Sequence, residues 1–587
     1  MVYNLHIQKL KDCVISYFSL DEKKNSFIQI QETKKEFDGD WTIVVFPLVK
    51  FSDKNLHDLS QTLGEFVTKN CDFVKSFNVV SGFLNLEFSD EFWINVLKFS
   101  FEKDFEKNTK KNKSIVLESC SPNTNKPLHL GHLRNILLGQ AMANILIEDG
   151  YDVHKVQIVN DRGIHICKSM LSWIKFGQND SPEKSNLKGD FFVGKYYVLF
   201  EKKLNEERLE FIRSGNNESE FEKKSLLLKE AKDLLVKWEL GDGEVVKLWK
   251  KMNDWVYDGF KETYDSIGAN FDKIYYESET YITGRKLITD GLEKKLFYKK
   301  NDGSIWVNLK NYNIDDKLLL RKDGTAVYIT QDIGTASLRY DDYGFDKMIY
   351  VVGNEQNHHF NVLFKILKKM NFSWSKNLFH MSYGMVTLPH GKMKSREGNV
   401  IDIDDLIKEM HSSAKKIILS SNKSDLASVD KLSEMIGNGA LKYFILKPDA
   451  KKDVLFNPNE SIDFNGHTGP FIQYTYARIC SIVEKKDKFD IKLKIQRDLE
   501  PEEKKIIKSI MHYPNVIKHS SETFNPSVLA NYLFNLAKSY NHFYQKIPIL
   551  NCDNVDDVNF RVTLSKKVSV LIKRGMNILG INLPSKM

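Results

Sequence analysis

The sequence predicts an α/β protein: a core of parallel strands alternating with helices, preceded by an α+β unit and followed by an all-α bundle. Three observations predict it. First, the apolar run 115–117 leads through Ser121-Pro122-Asn123 into helical apolar spacing (Leu133, Ile136, Leu137, Met142, Ile145, Leu146), which Gly150 stops. Second, strand-like runs at 153–159, 327–330 and 348–352 each end in polar residues, as strands of an open α/β sheet do at their ligand-binding edge. Third, beyond about residue 460 strand patterns vanish and helical spacing takes over at 471–483, 502–517, 527–544 and 562–579.

Composition sets the outer bounds. The chain has 587 residues, 42% hydrophobic and 12% aromatic, enough for about three or four domains. Its net charge of +8 is a mild excess, compatible with a nucleic-acid partner without demanding one. The six cysteines (Cys13, Cys71, Cys120, Cys167, Cys480, Cys552) contain no CxxC pair, so neither a zinc site nor a disulfide framework is expected. The chain reads as cytoplasmic. It begins without a signal pattern, and no apolar run approaches the ~18 residues of a transmembrane helix, so no membrane partner is expected. Neither a Walker A loop nor a GxGxxG fingerprint is present.

In chain order, residues 1–110 combine amphipathic segments with a β-like run at 41–49 and strand-like alternation through Gly82-Phe83-Leu84-Asn85-Leu86. The charged stretch 103–113 is a linker candidate. The next unit, 111–465, holds the chemistry. His129-Leu130-Gly131-His132 lies where turn becomes helix. Two imidazoles three residues apart share a helix face. Gly131 leaves the backbone open to close approach, and a helix start favours anions. The combination suits a nucleoside triphosphate, although such a tetrapeptide alone reads equally as polar surface. Its downstream counterpart is Gly391-Lys392-Met393-Lys394-Ser395-Arg396-Glu397-Gly398-Asn399, a basic loop ahead of an acidic helix start at Asp402, Asp404 and Asp405.

Two insertions interrupt this unit. Residues 176–275 read as charged two-faced helices that pack, with Trp249, Trp255, Tyr257, Phe260 and Tyr264 as core. Residues 282–326 read as short strands and turns, a connective insertion. His358-His359 lacks the cysteine or spaced carboxylate of a metal site, so one imidazole is expected to cap a helix or touch substrate. In the bundle, 466–587, Tyr474, Tyr476, Arg478, Tyr532, Tyr540, Phe543 and Tyr544 mix aromatics with basic residues. That mixture stacks bases and holds phosphates, or simply builds core.

Several stretches together resemble one family, the arginyl-tRNA synthetases of class I. They are Glu118, Ser121-Pro122-Asn123, Lys126 through Arg134, Tyr328 with Asp332, Gln356, Gly391-Lys392-Met393, and His467-Thr468-Gly469-Pro470-Phe471-Ile472-Gln473-Tyr474. The resemblance implies a class I Rossmann-type parallel-sheet catalytic core. It also implies an N-terminal α+β domain at the tRNA elbow and a C-terminal all-α bundle that binds the anticodon. It implies a monomer acting on L-arginine, tRNA(Arg) and ATP with Mg2+. Arginine falls to Glu118, Asn123, Tyr328, Asp332 and Gln356. ATP falls to His129, Gly131, His132, Lys392, Met393, Lys394 and Ser395, with His129, His132, Lys126 and Lys392 as the catalytic set. tRNA falls to Phe83, Asn85, Tyr474, Arg478 and Met587. No resident metal is implied.

The chemistry is consistent with these assignments. A guanidinium is a planar fork of five donors and no acceptor, so a selective pocket must supply carboxylates and carbonyls. Glu118 and Asp332, each expected at the end of an apolar strand, would do so. They would reject lysine by leaving acceptors unpaired. The signature loop reads Lys-Met-Lys-Ser-Arg where the class reads Lys-Met-Ser-Lys-Ser. The resemblance gives the missing lysine's role to Lys126, with Lys394 or Arg396 as further candidates. Cys120 is expected to be mildly reactive. Two other readings stay open: another class I synthetase or HxGH nucleotidyltransferase, and a silent tRNA-binding relative. The presence of His129, His132 and Lys392 argues against the silent relative.

Overall fold

The computed structural model describes residues 2–102, 105, 108–177, 179–389, 402–420, 426–485, 493 and 495–587. The N-terminal unit is built on strands β1 (Gln29–Glu32), β2 (Trp41–Val44), β3 (Val74–Val80) and β4 (Phe83–Phe88), antiparallel in the order β1-β2-β4-β3. The β-like run expected over 41–49 stops at Val44. Pro47 cannot donate to a ladder, and the chain turns into a 3-10 helix at Phe46–Phe51. Helices Leu56–Asn70 and Asp90–Ser100 start on the side-chain caps Asn55 and Ser89 and bury Leu59, Leu63, Val67, Phe92, Trp93 and Val96.

The central sheet holds β5 (Ser114–Glu118), β6 (Asp152–Val159) and β7 (Lys273–Tyr276). A small antiparallel sheet of β8 (Tyr298–Lys299), β9 (Ile305–Val307) and β10 (Lys317–Leu320) follows. The chain then returns to the central sheet with β11 (Lys347–Gly353) and β12 (Leu378–Tyr383). The five central strands are parallel in the order β12-β11-β5-β6-β7. The strand order reverses between β5 and β11, and a doubly wound sheet opens its ligand crevice at that point. Glu118 pairs with Tyr350 on one side and Val156 on the other, so β5 ends three residues short of β11 and β6 and leaves a notch at that edge.

One expected strand is a helix. Residues 327–330 begin the helix Tyr328–Tyr343. The β-branched run imitates a strand locally, but Ile329, Ile333 and Ala336 recur at helical spacing and all three are buried. Asp332 therefore rises from the first turns of a helix, not from a strand end.

The insertion consists of the helices Gly189–Arg213, Leu226–Glu239 and Gly243–Ile267, with Phe260 and Tyr264 buried as expected. The helical character of the C-terminal part begins earlier than residue 460, with Ile403–Ser420 and Leu426–Leu446. The Tyr443 hydroxyl donates to Ala530 O at 2.9 Å, tying the second of these into the bundle. The bundle itself is Gly469–Glu484, Pro501–Thr523, Ser527–Lys546 and Val555–Ile578. It grips both other units. Lys504 pairs with Asp90 at 2.6 Å. Arg574 pairs with Glu148, and Asn144 Nδ2 donates to Ile578 O at 3.0 Å. Glu148 and Asn144 lie at the far end of the helix that begins at Leu130. Among the described residues, no helix is long and apolar enough to cross a membrane.

Candidate active site

The helix Leu130–Glu148 leaves the carboxyl edge of β5 at the reversal point and starts on its two histidines. His129 is the cap, and its Nδ1 accepts the Gly131 N–H at 3.2 Å. His132 Nδ1 accepts the His129 N–H at 3.1 Å, and the two rings lie 3.8 Å apart. A backbone N–H can only donate, so both Nδ1 atoms are bare. Each neutral ring therefore carries its proton on Nε2, a free donor. Burial, then the nearby Lys126 charge, pushes His129 down to about 4. Burial, then His129 and Lys126, holds His132 well below the usual imidazole range. Two neutral donors and an exposed ammonium thus meet at the positive end of a helix dipole. A β-carbon on Gly131 would come within 3.1 Å of the His129 ring, so glycine lets that ring fold back.

Arg134 and Asn135, two and three residues beyond His132, hold the surroundings in place. Asn135 Oδ1 accepts the Cys120 N–H at 2.6 Å, and its Nδ2 donates to Val351 O at 2.8 Å and to the Tyr383 hydroxyl at 3.0 Å. One buried amide so links β5, β11 and β12 across the crevice. Arg134, fully buried, donates to Met385 O, Ala450 O and Lys452 O. Downstream of the signature loop, Ile403 N donates to Leu128 O at 3.0 Å and Asp402 bridges to His129. Both flanks of that loop are thus fastened to the histidine segment. Lys392, Met393, Lys394, Ser395 and Arg396 lie outside the described residues. Against the expected mild reactivity, Cys120 is fully buried, and burial pushes its thiol up to about 12, away from the thiolate form.

The acidic residues fall into two groups. Glu118, 6% exposed, is paired with the guanidinium of Arg339, itself 1% exposed and lying between the rings of Tyr275 and Tyr350. Its other oxygen accepts from Ser121 Oγ at 3.3 Å. Asp332 lies on a more open wall, where its Oδ2 meets His359 Nε2 at 2.6 Å. Glu277, the first residue of the helix Glu277–Glu293, stands in electrostatic range of Asp332. It accepts from Gln331 Nε2 at 2.5 Å. Burial first, then the Asp161 and Asp332 charges working against Arg162 and Gln331, pushes Glu277 up to about 7. Tyr328, one helical turn before Asp332, is 71% exposed beside it. Asn123 and Gln356 are exposed at the crevice rim, Asn123 bridging to Asn160.

The remaining expected contacts lie far from the crevice. Tyr474, Arg478 and Met587 come together. With Ser481, Lys485 and Tyr544 they line a cleft of about 250 Å³, in which the Arg478 guanidinium sits between Tyr474 and Tyr544 at 4.9 and 4.8 Å. Phe83 lies in a surface aromatic cluster with Phe37 and Phe46. Asn85 does not reach the surface. Its side chain is fully buried, accepts from Thr42 at 2.6 Å and donates to Asn78 at 2.9 Å, so it braces the sheet instead of presenting a polar group to RNA.

With this geometry in view, comparison with known proteins is decisive. The family described as "tRNA synthetases class I (R), catalytic domain" matches residues 95–457, and the DALR anticodon binding domain matches 472–587. The chain belongs to the class I arginyl-tRNA synthetase family. It is 50% identical over 577 residues to the arginine–tRNA ligase of Bacteroides thetaiotaomicron, covering 96% of each chain. It is 49% identical to that of Flavobacterium psychrophilum, covering 98% of each. Its fold matches the Thermus thermophilus arginyl-tRNA synthetase with a TM-score of 0.77 at 22% identity, covering 95% and 96% of the two chains. It also matches the Plasmodium falciparum arginyl-tRNA synthetase with a TM-score of 0.75 at 21% identity, covering 99% and 98%.

Sequence reasoning missed three residues of this synthetase's crevice. Glu277 falls between the two stretches read as insertions, and Arg339 lies on the helix whose start was read as a strand. Asn135 looks like an ordinary polar residue in an apolar helix. The adjacency of His358 and His359 did mark His359, but not its partner. A buried polar residue signals itself in sequence only as a break in an apolar face, and both Asn135 and Arg134 are such breaks.

Proposed function

We propose that this chain is an arginine–tRNA ligase: it activates L-arginine with ATP to arginyl-adenylate and pyrophosphate, then passes arginine to the 3′ end of tRNA(Arg), releasing AMP. The observation that carries the reading is the pairing of two features across one crevice. On one side two neutral Nε2–H donors stand at a helix start. On the other stands Asp332, with Glu277 tied to its neighbour Gln331.

The carboxylate of arginine attacks the α-phosphorus and pyrophosphate leaves. No protein nucleophile is needed. The enzyme's task is orientation and the neutralisation of charge that builds on phosphate oxygens. His129 and His132 donate through Nε2 to the nucleotide, the helix start adds its amides, and Lys126 and Lys392 supply positive charge. Because both imidazoles are neutral, they act as hydrogen-bond donors rather than acids at physiological pH. Asp332, Glu277 and Tyr328 take the guanidinium fork, whose planar donors match paired carboxylates. Glu118, already neutralised by Arg339 on one oxygen, offers its Ser121-held oxygen to the amino-acid end of the substrate. Asn123 and Gln356 complete the rim.

Class I synthetases use ATP, and we propose that Mg2+ enters with it. Among the described residues no three His, Cys, Asp or Glu side chains converge on a metal position. Phosphate oxygens and water, the ligands this hard cation prefers, would therefore hold it. The cleft of Tyr474, Arg478, Tyr544 and Met587 suits an unstacked base, which an aromatic–guanidinium face holds by stacking. Phe83 is the candidate contact of the N-terminal unit. We assign the boundaries as 1–110, 111–465 and 466–587, and the working form as a cytoplasmic monomer.

The test is charging of total tRNA with ATP and magnesium, each of the twenty amino acids in turn, alongside pyrophosphate exchange with and without tRNA. Charging with arginine alone is the expected result. Charging with another amino acid would keep the fold and overturn the pocket. Retained tRNA binding without any charging would point to a silent relative.

A further inference from the structure

His359 occupies the position at Asp332 that an incoming guanidinium needs. Its Nε2 lies 2.6 Å from Asp332 Oδ2, with the imidazole on the helix Asn357–Lys369 and the carboxylate on Tyr328–Tyr343. Asp332 presents two oxygens, and a bidentate guanidinium uses both. While the imidazole holds Oδ2, only Oδ1 is left.

We propose that His359 is a proton-bearing placeholder for the substrate. In the free enzyme it neutralises Asp332, and when arginine binds it yields Oδ2 and releases its proton. This rests on the reading of Asp332 and Glu277 as the guanidinium site.

Three observations support it. The ring is only partly buried, with 27% of its side chain exposed, so a released proton and a swinging ring have a path to solvent. Burial works to lower the His359 pKa, but the hydrogen bond and charge of Asp332 outweigh it, leaving a net rise above 6.5. A second cation beside Asp332 reverses that balance, because imidazolium and guanidinium repel at contact distance. Among the described residues, the other charged and titratable groups around the pair include Tyr328, Glu277, Tyr350 and His380. Phe360 closes one side of the ring with an edge contact at 5.6 Å. Glu277 titrates near neutrality too, and a guanidinium favours its ionised form. Its proton leaves in the same direction and must be counted separately.

The consequence is an arginine affinity that strengthens with pH. Below the His359 pKa, each proton released per arginine bound tightens the dissociation constant about tenfold per pH unit, and the slope flattens above it. A residue that only packs the crevice would shift affinity equally at every pH.

The experiment is titration calorimetry of arginine into the full-length enzyme, alone and with tRNA, from pH 6 to 8.5. Two buffers of different ionisation heat count the protons. Wild type, His359→Asn, Glu277→Gln and the double variant are compared. The expected result is proton release in wild type that falls in each single variant and vanishes in the double, with a shallower pH slope in His359→Asn. In parallel, magnetic resonance of histidine-labelled wild type should show the His359 pKa dropping when arginine is added, a readout that needs no variant. Wild-type release and slope retained in His359→Asn, or an unchanged imidazole titration, overturns the inference while leaving arginine charging intact. Failure of arginine to bind wild type at any pH, with charging by another amino acid, overturns the pocket assignment and this inference with it.

Discussion

Arg339 holds Glu118 from beneath the crevice, so the carboxylate at the end of β5 already carries a guanidinium belonging to the protein. Both partners are almost fully buried. A lone buried charge is costly, whereas a pair breaks even when its geometry is good. The pair therefore divides the two acids that sequence reasoning treated alike. Glu118 is neutralised and fixed, while Asp332 stays on an open wall with an exchangeable partner.

Replacing Arg339 with Met leaves Glu118 buried and unpaired. We expect a loss of about 3–5 kcal/mol, read as a lower denaturant midpoint by tryptophan fluorescence. Glu118→Gln combined with Arg339→Met should cost less than the sum of the singles, because the second change removes the orphaned charge. Additive losses would mean that the two groups do not share one interaction.

Removing the His132 donor should act on the chemistry and spare tRNA binding. His132→Ala is expected to lower the pyrophosphate exchange rate by about 10²–10³, while filter-binding affinity for tRNA stays within a factor of a few. An equal loss of both would place His132 in structure instead of catalysis.

The depressed histidines predict a pH effect with a definite sign. His129 falls to about 4 in the fold, against 6.5 in the unfolded chain. Between those values the unfolded state binds the extra proton, so stability increases as pH rises through that window and is fully present above it. A fully shifted histidine contributes about 1.4 kcal/mol per pH unit there. Urea midpoints at pH 5 and 7 should differ less in His129→Asn than in wild type.

Asp332→Asn and Glu277→Gln should each raise the arginine KM by about tenfold to a hundredfold, the loss of one charge-assisted contact. The ATP KM should be nearly unchanged. Discrimination against lysine in competitive charging should narrow in both. A rise confined to ATP would place the guanidinium elsewhere.

Arg478→Ala removes the guanidinium from between Tyr474 and Tyr544. Stacking lost from one base is worth about 1–3 kcal/mol, so the tRNA KM should rise at least fivefold with the arginine and ATP constants unmoved. An unaltered tRNA KM would make the cleft structural.

Legibility differed from residue to residue for physical reasons. The histidine tetrapeptide could be read because its residues are neighbours and its chemistry belongs to one helix start. Val327-Tyr328-Ile329-Thr330 was misread because four β-branched or aromatic residues imitate a strand over one turn, and only the longer period reveals the helix. Asn85 was carried over from the family resemblance, and alternation along a strand tells which residues share a face, not which face meets water.

The guanidinium-binding reading of Glu118 and Asp332 came from the family resemblance, and what the sequence determined by itself was local: the strand–turn–helix unit around His129 and His132, and the helical bundle. Those follow from spacing and residue type over short distances. The tertiary structure alone decided which groups meet across the crevice. Arg339 reaches Glu118 over 221 positions of sequence, and Asn135 reaches Tyr383 over 248. The strand order that brings β11 beside β5 creates those meetings, because only the folded sheet makes chain-distant residues neighbours and gives each carboxylate its own counterion.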